Sequence, residues 1–156
     1  GPEGLMILES ISRDKLTWVS ADGVRLVMQN GRIISSSGLI NNLKEIRLPK
    51  KINNKNWLTD RLNQESFNSY YSFSQPTLID LKVEHQLSPA NSDNIEILGI
   101  KKNAELVTEI IENQKIGWKY LNKYWIDKDN FVWKSEQKLT PKLPVIYYSV
   151  TKKPSK

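Results

Sequence analysis

The chain has 156 residues, no cysteine and a formal net charge of +6 from 23 basic and 17 acidic residues. That length suits one domain with a core large enough to need no staple, and the composition excludes disulfides, thiol catalysis and cysteine-based metal sites. No apolar run is long enough to cross a membrane as a helix. Gly1-Pro2 reads as the remnant of a cleaved tag, so the expected domain covers residues 3–154. Leu5 to Ile11 and Lys15 to Ser20 predict a hairpin across Ser12-Arg13-Asp14, and Val24 to Gln29 comes after an Asp22-Gly23 turn. Asn30-Gly31, the strongest hairpin signal in the chain, leads into a fourth strand, Arg32 to Ser37. Gly38 to Arg47 is expected to hold a short helical turn around Leu39, Leu43 and Ile46.

From Pro49 to Asn68 the sequence is polar and Asn-rich, with Trp57, Leu58 and Leu62 as apolar anchors. It predicts one long irregular loop in which a helical turn sets Trp57 beside Arg61. Strands resume at Tyr70 to Phe73, and Pro76 marks a bulge or bend. Thr77 to Leu87 alternates: Ile79, Leu81, Val83 and Leu87 share one face, Asp80, Lys82, Glu84 and Gln86 the other. Ile95 to Lys101 is expected to pair with Glu105 to Asn113, and Lys119 to Ile126, Phe131 to Leu139 and Val145 to Lys152 complete the set. About eleven strands without a long amphipathic helix predict an all-β antiparallel domain. Two related meanders would form a sandwich or open barrel.

The relation between the meanders is written in a recurrence. Trp18-Val19-Ser20-Ala21-Asp22-Gly23 returns, altered, as Trp125-Ile126-Asp127-Lys128-Asp129-Asn130, each ahead of another apolar strand. In both copies an acidic residue precedes one that tolerates positive φ, as tight turns demand. An old duplication would place Trp18 and Trp125 at equivalent points of superposable hairpins.

Little in the chain reads as catalytic. His85 is the one histidine and falls in phase with Val83 and Leu87, the pattern of a satisfied interior residue rather than a ligand or base. Asp22, Asp127 and Asp129 sit at turns, where a carboxylate caps its own backbone more readily than it protonates a glycoside. No Ser-His-Asp set, Walker loop or dinucleotide fingerprint is present. No metal or cofactor is expected. The basic charge invites nucleic acid, but the lysines are scattered, with small groups at Lys50-Lys51, Lys101-Lys102 and Lys152-Lys153, and no nucleic-acid-reading motif accompanies them. A basic surface also suits anionic lipid headgroups or acidic polysaccharide.

At the two hairpins the chain resembles the YjbF/GfcB family of exopolysaccharide and group 4 capsule lipoproteins. One match runs from Trp18 to Gly38 and includes an Asn-Gly-Arg turn; the other covers Tyr124 to Pro154. The resemblance implies a non-enzymatic lipoprotein of the outer membrane, facing the periplasm. It also implies partners among the export components encoded with it, including an outer-membrane β-barrel, with the polysaccharide itself as a further partner. The lipid-anchored cysteine of the family is absent from this sequence. The rival readings are a carbohydrate-binding module and, behind it, a polysaccharide-modifying enzyme. Trp57 and Trp118, at expected loop or strand ends, are the candidate sugar platforms, against the plainer reading that each plugs an end of the core. Tyr120, Tyr147 and Tyr148, on strands apolar on both faces, are the candidate partner contacts.

Overall fold

The computed structural model describes residues 4–49, 57–58 and 66–155. Among them the chain is antiparallel β throughout, apart from one 3₁₀ turn at Gln114–Ile116. A meander of β1 (Met6–Ser12), β2 (Lys15–Ser20), β3 (Arg25–Gln29) and β4 (Arg32–Ser37) forms one sheet. The larger sheet contains β5 (Asn42–Arg47), β6 (Ser66–Ser74), β7 (Leu78–Leu87), β8 (Asn91–Ser92), β11 (Glu105–Asn113), β12 (Trp118–Ile126), β13 (Val132–Gln137) and β14 (Ile146–Ser149). Its order is β14-β13-β12-β11-β7-β6-β5, with β8 beside β11. β9 (Ile95–Ile97) and β10 (Ile100–Lys102) make a separate hairpin. The all-β architecture of two packed meanders holds, with fourteen strands among the described residues rather than about eleven.

The sheets meet through alternate residues. Leu26, Met28 and Ile33 of the first face Tyr71, Val83 and Ile111 of the second in one buried cluster. A second interior cluster gathers Trp57, Leu58, Phe67, Tyr124 and Val132. A third forms where the β9–β10 hairpin lays Ile95 and Ile97 over Trp125 and Trp133.

Several sequence expectations fail for local reasons. Residues 42–47 are strand, not a helical turn. The Asn42 side chain accepts from Leu39 N–H and donates to Leu39 C=O, which closes the preceding turn and leaves the residues after it to pair with β6. β6 begins at Ser66, so the irregular stretch ends before Asn68; residues 50–56 and 59–65, including the expected helical turn with Arg61, lie outside the described residues. Ile79 is exposed, because Asp80 adopts φ 56° and breaks the alternation that resumes at Leu81. Ile95–Ile97 pairs with Ile100–Lys102, not with β11, through a turn in which Leu98 and Gly99 both take positive φ. That two-residue geometry normally calls for Asn-Gly, and Leu98 in place of the Asn hid it.

The two related hairpins share their turn. Ser20 N–H bonds Val24 C=O while Asp127 N–H bonds Phe131 C=O, and Gly23 and Asn130 close the turns at positive φ. The side chains of Ser20 and Asp127 accept from Val24 N–H and Phe131 N–H respectively. The faces of the two hairpins are reversed, however. Trp18 packs toward the interior between the sheets, whereas Trp125 joins the outer cluster and its neighbour Ile126 points inward. A bulge after Trp125 separates the registers. The tryptophans are therefore equivalent along the chain but not in packing.

Candidate functional site

The Asn30-Gly31-Arg32 turn enters the space between the sheets, and nearly every group on it is bound. Asn30 C=O accepts from Trp57 Nε1 at 3.1 Å. Gly31 C=O accepts from Gln137 Nε2 at 2.8 Å and from the Tyr148 hydroxyl at 2.7 Å, while Ile33 N–H donates to Gln137 Oε1. Gly31 has φ 82°, and a Cβ there would lie 2.2 Å from Val132 Cγ2. Only glycine combines the left-handed turn with this close approach.

Arg32 continues the same strand into a charged interior. Its guanidinium meets Glu109 as a fork, Nη1 to Oε1 at 2.8 Å and Nη2 to Oε2 at 2.7 Å. Across neighbouring strands of the larger sheet run Ser69 on β6, His85 on β7, Glu109 on β11, and Asn122 and Tyr124 on β12. Glu109 Oε1 also accepts from Asn122 Nδ2 and the Tyr124 hydroxyl, and Oε2 lies 3.0 Å from His85 Nδ1. A carboxylate only accepts, so Nδ1 carries the proton, and Nε2 then accepts from Ser69 Oγ at 2.6 Å. All of these residues are buried. Trp57 roofs the site, with the Arg32 Cζ 4.4 Å from its ring centroid and its edge on Tyr124.

Enclosure sets the charge states. Burial pushes the Glu109 carboxyl up, but the Arg32 charge, His85 and their hydrogen bonds outweigh it and hold the group well below the usual carboxylate range. Burial lowers His85 despite Glu109, which keeps the imidazole neutral. Burial drives Tyr124 well above the ordinary phenol value. The order hydroxyl–imidazole–carboxylate is the one nucleophilic hydrolases use. Here, though, Ser69 is sealed, Phe67 stacks on the imidazole at 4.3 Å, and Glu109 is committed to Arg32. The arrangement is suited to carrying a buried ion pair between the sheets.

The candidate residues divide accordingly. Trp57, only 5% exposed, and Trp118, against Tyr71 and Phe73, are core residues rather than sugar platforms. Tyr148 is half-buried on the Gly31 carbonyl. Tyr120 is half-buried too, its hydroxyl raised by burial and then by Tyr147 and Glu136. Tyr147 is 68% exposed on β14, an edge strand. Asp127 spends both oxygens on Asp129 N–H, Phe131 N–H, Trp133 Nε1 and Lys153, as a turn cap does. Among the described residues no group of three or more His, Cys, Asp or Glu side chains is placed to hold a metal ion. Sequence reasoning missed Glu109, although it falls in phase with Val107 and Ile111, where a charge inside an apolar alternation marks a buried partner.

The chain is an antiparallel β domain with its Asn30-Gly31-Arg32 turn built into the space between its sheets. The family model for group 4 capsule polysaccharide lipoprotein gfcB, YjbF matches residues 1–150, and the chain belongs to that family. A crystal structure of the hypothetical lipoprotein YmcC from Escherichia coli (K12) superposes with a TM-score of 0.84 at 19% identity, over 99% of this chain and 80% of that one. No curated protein sequence matches this chain. The chain is thus a capsule- and exopolysaccharide-associated lipoprotein by family, on the fold that YmcC shares.

Proposed function

We propose that this protein is a non-enzymatic accessory of exopolysaccharide or capsule export. It would be anchored by lipid to the outer membrane, face the periplasm, and act by docking to an export partner. The observation that carries the reading is where the candidate side chains lie. Trp57 and Trp118 are buried, Tyr120 and Tyr148 half-buried, and Tyr147 alone of the five is exposed, on β14, whose outer edge pairs with no other strand among the described residues. An open edge with a projecting aromatic ring suits strand addition or aromatic anchoring. The partner expected there is the outer-membrane β-barrel encoded with such lipoproteins. Sealing of Ser69 supports the non-enzymatic part.

Binding of the purified domain to that barrel, wild type against Tyr147→Asp, tests the docking. At least a tenfold loss of affinity is expected; undiminished binding would remove this surface. Labelling of Ser69 by an activated-serine probe would overturn the non-enzymatic part.

A further inference from the structure

The tip of the β9–β10 hairpin is built against ordinary turn preferences. Leu98 takes φ 49° and is 77% exposed, and Ile100, just past Gly99, is 63% exposed. A left-handed leucine is strained where Asn or Asp is at ease, and its exposure gains nothing from the core. The hairpin is nevertheless held rigidly from below, because Ile95 and Ile97 are buried on Trp125 and Trp133.

Cations gather at its base from distant parts of the sequence. Lys102 lies 4.0 Å and Lys153 5.9 Å from the Trp133 ring centroid. Lys153 is also 5.0 Å from the Phe131 ring, and Lys134 is 4.6 Å from the Trp125 ring. One lysine from each of two of the sequence's three lysine pairs, Lys102 and Lys153, thus reaches the Trp133 ring. Carboxylates offset part of this charge: Asp127 contacts Lys153, Glu96 stands opposite Lys101 on the hairpin, and Asp93 accepts from Trp125 Nε1. Among the described residues Lys102 and Lys134 have no carboxylate within ion-pair distance, so ring faces alone hold their ammonium groups. A projecting apolar tip above fixed cations, two of them without a carboxylate partner among the described residues, fits the headgroup boundary of an anionic bilayer. An acidic polysaccharide would satisfy the lysines but leave Leu98 and Ile100 without a role.

We propose that the Leu98-Gly99-Ile100 tip and the Lys102, Lys134 and Lys153 cluster form a membrane-contact site for anionic phospholipid, which orients the domain on the leaflet. The site deepens the lipid-anchored reading above, but its test needs no protein partner, so its failure would leave docking at Tyr147 standing.

Cosedimentation of the purified chain with phosphatidylethanolamine vesicles, with and without a quarter of phosphatidylglycerol, supplies the measurement. Binding is expected to require the anionic lipid. Leu98→Asn with Ile100→Thr should cut it at least fivefold, and because Asn suits the turn, Leu98→Asn alone should raise Tm. Lys102→Gln with Lys134→Gln should weaken binding and flatten its salt dependence. Ile79→Thr, which removes an exposed apolar residue from β7, should leave it unchanged. Equal binding to neutral vesicles, no binding, or full binding by the tip variant would overturn the proposal. So would tight binding to polygalacturonate that is lost in the lysine variant while vesicle binding persists.

Discussion

Arg32 on Trp57 and Lys134 on Trp125 both set a cation on a tryptophan ring, one inside the molecule and one near its surface, and they differ in how the cation is answered. Arg32 lies on Trp57 inside the molecule, forked onto Glu109, with His85, Asn122 and Tyr124 completing the carboxylate's bonds. Lys134 lies on Trp125 at the surface with the ring as its sole partner of that kind. The inner pair has lost its water and is stable only because each charge is answered; the outer one keeps water on its open side. The same contact is therefore structural in one place and free to meet a ligand in the other. Compensation, rather than the ring, decides which.

Glu109→Gln should break the inner assembly most severely. It leaves Arg32 charged, buried and unanswered, a situation that costs about 3–5 kcal/mol. Urea unfolding should show a midpoint shift of that size with little change in m-value. A loss below about 1 kcal/mol would mean that water reaches Arg32 and that the interior is not closed.

Trp57→Ala comes next. Loss of a buried indole costs roughly 3 kcal/mol, and here it also unroofs the guanidinium. Hydrogen exchange should then quicken across β4 and β11 together. Quickening confined to the chain around residue 57 would return Trp57 to the role of a loop anchor.

How far these two assemblies were legible in the sequence differs as well. The Asn-Gly turn, the meanders and the inward phase of His85 were readable because turn chemistry and strand alternation are local. What escaped was long-range: that Arg32 reaches Glu109 across the sheets, and that Trp57 lies on both Arg32 and Tyr124. Trp57 looked like a platform because most of its neighbours in sequence are polar, although in space it packs in a buried cluster with Leu58, Phe67 and Tyr124 against the Arg32 guanidinium. The outer cluster was hidden for the same reason, since Lys102 and Lys153 share a ring while standing far apart in the chain. The tight turn at Leu98-Gly99 was masked by Leu98, a residue that contradicts the left-handed geometry it adopts.

Acid should act on the inner assembly through His85. Its folded-state value lies below the ordinary 6.5, with burial as the leading cause. As pH falls from 7 to 5 the unfolded chain takes up a proton that the native imidazole refuses, so stability falls with pH, at no more than about 1.4 kcal/mol per unit. Glu109 is depressed in the fold. Its contribution is complete above the unfolded carboxylate value of about 4.3 and is lost only below it, as pH drops toward the folded value. Urea midpoints for wild type and His85→Asn between pH 7 and 5 separate the two: the variant should lose the slope in that window and keep the steeper loss under more acid conditions. A slope equal in both would assign it to other groups.

Lys134→Gln should have the smallest effect. Its ammonium rests 4.6 Å from the Trp125 centroid, but that indole is packed beneath Ile95 and Ile97 and its N–H stays bonded to Asp93 whether or not the lysine is there. The substitution therefore opens no cavity and strands no buried charge. What disappears is one cation–ring contact at a partly exposed site, worth about 0.5–1 kcal/mol, and part of that returns as hydration of the ring face. The expected result is a stability change under about 1 kcal/mol with a shift in tryptophan emission, because the charge beside Trp125 has gone. If Lys134→Gln cost as much as Trp57→Ala, the outer cluster would be as closed as the inner one, and the distinction between an answered and an open cation would fail at its second term.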